Sequence, residues 1–157
     1  MKKFIITAVL AAMPFVTFAQ TKAFDKFQDV EGISSMTVNK EMFEMLGEVK
    51  VSDDKKTQGY LDMAENIEGL KVFTTKEKKH KDALRASVAE YVKKSPLTEL
   101  MSVNQDGQKV KIYAIQGKTE SIIKEGLIYV EGAEGKEMVV VSFTGTLNLA
   151  DIEGLKK

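Results

Sequence analysis

His80 is the only histidine in the chain, and it lies within Lys76-Glu77-Lys78-Lys79-His80-Lys81. A single imidazole cannot build the common zinc ligand sets or an HExxH helix. A Ser-His-Asp triad would have to recruit this ring from a run of lysines, and no Gly-x-Ser-x-Gly elbow presents a serine to it. The neighbouring lysines repel a metal cation, so His80 reads as part of the solvated first turn of a helix. Cysteine is absent, which removes thiol catalysis and disulfides.

Carboxylates offer little more. Asp53 and Asp54 are adjacent, but neighbouring helix residues point about 100° apart, so the pair suits a helix cap and first-turn charge better than joint acid–base work. Asn104-Gln105-Asp106-Gly107 resembles the start of a calcium loop, yet the later oxygens and the terminal glutamate are missing, and the segment reads as a hairpin turn. Gly126, Gly132, Gly135 and Gly145 are isolated and do not lead a strand into a helix, as a phosphate loop requires. Catalytic, cofactor-binding and metal-binding residues are therefore expected to number none, with no cofactor implied. Met36, Met42, Met45 and Met63 crowd the helical half, where they are expected mostly to pack in the core, the other use of such residues being an adaptable groove. The lysines from Lys76 to Lys81 are expected to be solvated surface.

These residues must be held by a small set of elements. The last third of the chain carries four apolar segments, 97–103, 109–115, 121–130 and 137–144, rich in β-branched and aromatic residues and bounded by Gly, Asn or Asp. Asp106-Gly107 accepts the positive φ angles of a tight primed turn, and Gly117, Gly132 and Gly135 serve looser reversals. The segments are expected to pair antiparallel as a β-meander. Alternation in 109–115 predicts lysines toward water and Val110, Ile112 and Ala114 toward a core. The nearly continuous apolar run from Met138 to Phe143 predicts a strand covered on both faces or placed centrally in the sheet.

Upstream, Ile33 to Val38 reads as a strand, and Asn39 caps a helix over 40–46 with Met42, Phe43 and Leu46 as its buried stripe. A second helix begins near Ser52-Asp53-Asp54, carries Tyr60, Leu61, Ala64 and Ile67 on one face, and stops at Gly69. Strand 70–74 follows. Thr74 or Thr75 then caps the longest helix, roughly 76–94, with Leu84, Val88, Tyr91 and Val92 as its stripe and Ser95-Pro96 as its stop. Residues 147–155 suggest one or two further helical turns. The predicted fold class is α+β: a two-layer sandwich, a mostly antiparallel sheet ending in a four-strand β-meander, with helices packed on one face.

Residues 1–19 have the layout of an export signal: Lys2 and Lys3, an apolar run from Phe4 to Phe18, and a small-x-small site ending at Ala19. Pro14 interrupts the run, which falls short of the roughly 20 residues that span a bilayer. The expected organisation is a removed leader over 1–19 and a single domain over 20–157, periplasmic or secreted, without the cysteine that would tether it as a lipoprotein. The chain balances 23 basic against 23 acidic residues, and Arg85 is its only arginine. Nucleic-acid binding is disfavoured by both facts.

Several short pieces carry a resemblance: Phe24-Asp25-Lys26-Phe27, Met36-Thr37-Val38-Asn39-Lys40-Glu41-Met42-Phe43, Leu70-Lys71-Val72-Phe73-Thr74-Thr75, Glu99-Leu100-Met101, Val110-Lys111-Ile112-Tyr113 and Ser142-Phe143-Thr144-Gly145. Together with the leader they resemble the family catalogued as domain of unknown function 4252, small exported proteins of Gram-negative bacteria. The resemblance implies an envelope location and one α+β domain, and it brings no activity and no functional residues. The expected function is that of a non-enzymatic exported domain binding another envelope protein through an exposed sheet face or edge. The alternatives are a carrier of a small apolar ligand between helices and sheet, and a carboxylate-dependent hydrolase using Asp53, Asp54 or Asp106.

Overall fold

The computed structural model describes residues 22–48, 59 and 64–150. After a 3-10 turn at Asp25–Phe27 come β1 (Ser34–Asn39), α1 (Lys40–Glu48), β2 (Ile67–Thr75), α2 (Lys78–Lys94), β3 (Thr98–Gln105), β4 (Gln108–Gln116), β5 (Ile122–Glu131) and β6 (Met138–Asn148). The six strands form one sheet in the order β1-β2-β6-β5-β4-β3, with every neighbouring pair antiparallel. The class is α+β and the last four strands are a meander, as their turn chemistry predicts. Asp106 and Gly107 take φ of 52° and 77° in the β3–β4 turn, the left-handed pair that matches strand twist. The expected second helix over 52–69 lies mostly outside the described residues, as do 1–19 and 151–155.

Register sorts the side chains into two faces. On one lie Phe73, Thr75, Met138, Val140, Leu127 and Tyr129. Against them pack Leu84, Val88 and Tyr91 of α2, together with Phe24, Phe27 and Ile33 of the N-terminal segment, as one buried cluster. Phe24 meets Tyr91 edge-on at 5.6 Å between centroids, and Phe27 meets Phe73 likewise at 6.1 Å. The short Phe24–Phe27 turn, too brief to place from sequence, thus supplies two rings to the core.

The other face carries Val110, Ile112 and Ala114 of β4, with Ile128, Val130, Val139, Val141 and Phe143 beside them. The alternation of β4 is therefore real, and Ala114 is buried as expected, but the set that faces the helix-backed core is the reverse of the expected one. Lys111 shares a face with Tyr113, Tyr129 and the helix-backed core, whereas Val110 and Ile112 are only half-buried on the opposite side. The lysine is accommodated at the margin of the covered face because Glu99 of β3 meets its Nζ at 3.1 Å. β6 is central, between β2 and β5, and its burial alternates: Met138, Val140 and Ser142 are buried, while Val139, Val141 and Phe143 are intermediate. It is covered on one face, not two.

Further differences have local causes. Ile67 and Gly69 belong to β2 rather than to a helix: Gly69 pairs with Asn39 and Thr144 at a bulge, where an added Cβ would come within 3.2 Å of Thr144 Oγ1. Leu147 and Asn148 continue β6, paired with Ile123 and Ile122, so the expected helical conformation begins only at Leu149 and Ala150. Asn39 does cap α1, its Oδ1 accepting from Met42 N at 3.2 Å. In α1 only Phe43 of the pair Met42 and Phe43 is buried. Adjacent helix positions diverge by about 100°, so one inward aromatic leaves Met42 outside. Met36, Met42 and Met45 are 51%, 48% and 57% exposed, contrary to core packing, and Met63 lies outside the described residues. Finally, α2 starts behind Glu77, not behind Thr74 or Thr75. Thr75 Oγ1 instead donates to Gly32 O and accepts from Glu77 N, fastening the strand end to the N-terminal segment.

Candidate functional site

β3 ends the sheet. Its one neighbour is β4, so the other side of its backbone presents peptide N–H and C=O groups to whatever lies alongside. All eight residues of Thr98–Gln105 are exposed, and the strand contains no proline and a single charge, Glu99. Leu100, Met101 and Val103 are 43%, 44% and 37% exposed, which is high for apolar side chains of a strand. A bulge between Glu99 and Met101 interrupts the register with β4 and leaves Leu100 outside the pairing. At the far end, an open cleft of about 550 Å³ is floored by Val103, Val110 and Val130 and bordered by Asp106 and the 132–137 turn. An apolar edge beside a shallow cleft can accept an extended peptide, main chain by hydrogen bonding and side chains by burial.

The covered face and the helix over it hold most of the perturbed ionisable groups among the described residues. Arg85 of α2 reaches across to both carboxylate oxygens of Glu131 on β5 and also contacts Asp82 at 2.6 Å. Tyr129 donates its hydroxyl to Glu131 as well. Hydrogen bonding to Arg85 holds the Glu131 carboxyl below its ordinary range, and the two carboxylates keep Arg85 firmly charged. Burial pushes the Tyr129 phenol up to about 12, so it remains a neutral donor. This cluster clamps helix to sheet and leaves no member poised as an acid or base near neutrality.

Glu125 differs. Its Oε1 is buried with no hydrogen-bond partner among the described residues, and burial alone pushes its pKa up to about 7. It lies on the covered face beside Thr144 and Ile115. Neither Glu125 nor the Arg85–Glu131 pair stands out from sequence. The available signal is Lys124-Glu125 within an apolar strand, where successive residues face opposite sides and one charge must point inward.

His80 is less solvated than its lysine-rich setting suggests. Its side chain is 13% exposed, and Nε2 lies 2.9 Å from Glu31 O and 3.3 Å from a Glu77 oxygen. The ring therefore ties α2 to the N-terminal segment. Lys76 and Lys79 are exposed and pair with Glu137 and Glu77. Asp106 sits at the β3–β4 turn, while Asp53 and Asp54 lie outside the described residues. Among the described residues no group of three or more His, Asp or Glu side chains is placed to hold a metal ion, and no helix is long and apolar enough to cross a membrane.

A family model described as Domain of unknown function (DUF4252) matches residues 27–155, which takes in β1 to β6, α1 and α2. No curated protein and no solved structure matches the chain.

Proposed function

We propose that this chain, which belongs to the DUF4252 family, works as a non-enzymatic binding module of the bacterial envelope, taking up an extended segment of another envelope protein along β3. The observation that carries the reading is the β3 edge itself: eight residues long, with one charge and three exposed apolar side chains, and exposed along its whole length. Soluble proteins blunt such edges with charge or proline unless something is meant to pair there. On this reading residues 1–19 are an export leader removed after Ala19, and the mature domain is periplasmic or secreted.

The same proposal places both helices on one face of the sheet. It is supported by Asn39, which shares a face with Thr37 and Phe73 neighbours on the α2 side and caps α1 with its side chain. Among the described residues the opposite face is then left open.

The test is site-specific photocrosslinking in intact cells from position 100, with a second probe at the exposed Glu90 on α2 as control. One discrete adduct from position 100 only, abolished by Ser102→Lys with Asn104→Lys, is the expected result. Identical adducts from both positions, or none from position 100, would overturn the reading.

A further inference from the structure

The open face of the sheet has an order that no single strand reveals. Met36, Val72, Val141, Ile128, Ile112 and Met101 are directly paired in succession, one from each strand, and form an unbroken row across all six. A second row runs Ser34, Thr74, Val139, Val130, Val110 and Val103, and a third runs Val38, Leu70, Phe143, Gly126, Ala114 and Thr98. None of these positions is charged. The hydroxyls stand at two opposite corners. By contrast, Lys71, Lys109, Lys111, Glu99, Glu125 and Glu131 all fall on the other face.

The aliphatic side chains of these rows are half-buried or exposed, with Ala114 the one that is buried. Phe143 lies flat across the neighbouring strand: a Cβ on Gly126 would come within 2.1 Å of its ring. Gly126 thus lets the largest side chain of the face lie down, keeping the surface level where a partner sheet would rest.

We propose that this face is where two copies of the chain pack, sheet against sheet. A two-fold contact sets a surface against itself, so any net charge on it would be repelled by its own copy. The three rows are free of charge and carry no such penalty, and Lys124, beyond the third row, is tied to Thr146 Oγ1 at 2.9 Å. Six strands at about 4.8 Å and about five residues at about 3.3 Å give roughly 480 Å² in plan, which side-chain relief brings toward the approximately 600 Å² per partner at the lower end of a standard interface. Two twisted sheets of like hand stack about 10 Å apart with strands near −30°, and their inner faces interdigitate. Met36 and Met101 close the two ends of the central row with adaptable side chains. A lipid surface fits less well, because the turns flanking the sheet carry Asp106, Glu120, Glu134 and Glu137 against Lys118 and Lys136 and offer no cationic collar. The contact leaves the β3 backbone edge free, so it stands apart from strand uptake.

The exported protein, purified whole, is expected to sediment at twice its chain mass and to dissociate on dilution. Val141→Lys, at the centre of the middle row, is expected to raise the dissociation constant by at least roughly a hundredfold with circular dichroism unchanged. Mixing it with Val141→Glu is expected to restore the pair. Should Val141→Lys fail to fold, Met36→Lys with Met101→Lys, both at exposed sites, gives the same comparison. Leu100→Lys with Ser102→Lys is expected to leave the mass unchanged. A wild-type monomer at every concentration, a dimer indifferent to these face substitutions, or a monomer that co-sediments with phosphatidylcholine–phosphatidylglycerol vesicles would each overturn the proposal.

Discussion

The two faces of this sheet use the same strands and almost opposite chemistry. One face is backed by α2 and the Phe24–Phe27 turn, and it combines fully buried apolar side chains with all the strand charges of the paired rows. The other has no charge in its three paired rows, Lys124 lying beyond the third, and no helix from the buried cluster over it, yet its side chains are as aliphatic as any core. Polarity alone therefore does not say which side of a sheet is inside. A covered face can hold charges when partners arrive with the covering layer, as Arg85 does for Glu131. An open face can be apolar when burial comes from outside the chain.

The contrast is broken most severely by removing a ring from the covered side. Phe73 has no exposed surface and touches both Phe24 and Phe27. Phe73→Ala is expected to lower unfolding free energy by about 3–5 kcal/mol in urea titration. An effect below about 1 kcal/mol would mean that the core lies elsewhere.

A finer comparison uses two adjacent residues of β6. Val140 is fully buried and Val141, one step along, is on the open face. Val140→Ala is expected to destabilise the monomer by about 2–3 kcal/mol and Val141→Ala by less than about 1 kcal/mol. Equal losses, measured at a concentration low enough to exclude self-association, would erase the difference between the faces.

The smallest effect concerns Glu125, the covered face's one carboxyl without a partner. Its pKa is raised from 4.5 to about 7 in the folded chain, so the native state binds more protons than the unfolded state in between. Stability is then highest below pH 4.5 as far as this group is concerned, and it declines as pH rises toward 7. For a half-buried group the loss, after allowance for screening by water, is about 1–2 kcal/mol. Glu125→Gln is expected to recover that amount at pH 8 and nothing at pH 4; a gain independent of pH would point to packing instead of ionisation.

Sequence made the meander legible because its information is local. Asp106-Gly107 and the later glycines mark reversals, and period-two alternation marks strands. What alternation yields is two sets of side chains, not the identity of the covered set. In β4 the lysines pointed the reading the wrong way, since Lys111 finds Glu99 beside it on the next strand, a contact made by register and invisible to periodicity. The methionines misled similarly. Their composition suggests burial, but Met36 sits on an edge strand and Met42 is turned away by the choice of Phe43 as the inward residue. The candidate edge was the least legible feature, because whether Thr98–Gln105 ends a sheet or lies within it depends on how distant segments assemble.

The strand order also sets a timetable. Four of the five junctions join strands that follow one another in the chain, and three of those are closed by short turns; β2 against β6 alone joins segments separated by the whole length of α2 and the meander. Local hairpins close within microseconds, whereas long-range pairing waits for a larger loop to be gathered. The meander can therefore assemble as one unit and the β1–β2 ribbon as another, with the β2–β6 seam zipped late and α2 folding down across it. Until that seam shuts, both strands along it are bare edges, and during synthesis the nascent chain exposes them at the time it is most vulnerable to pairing with its neighbours.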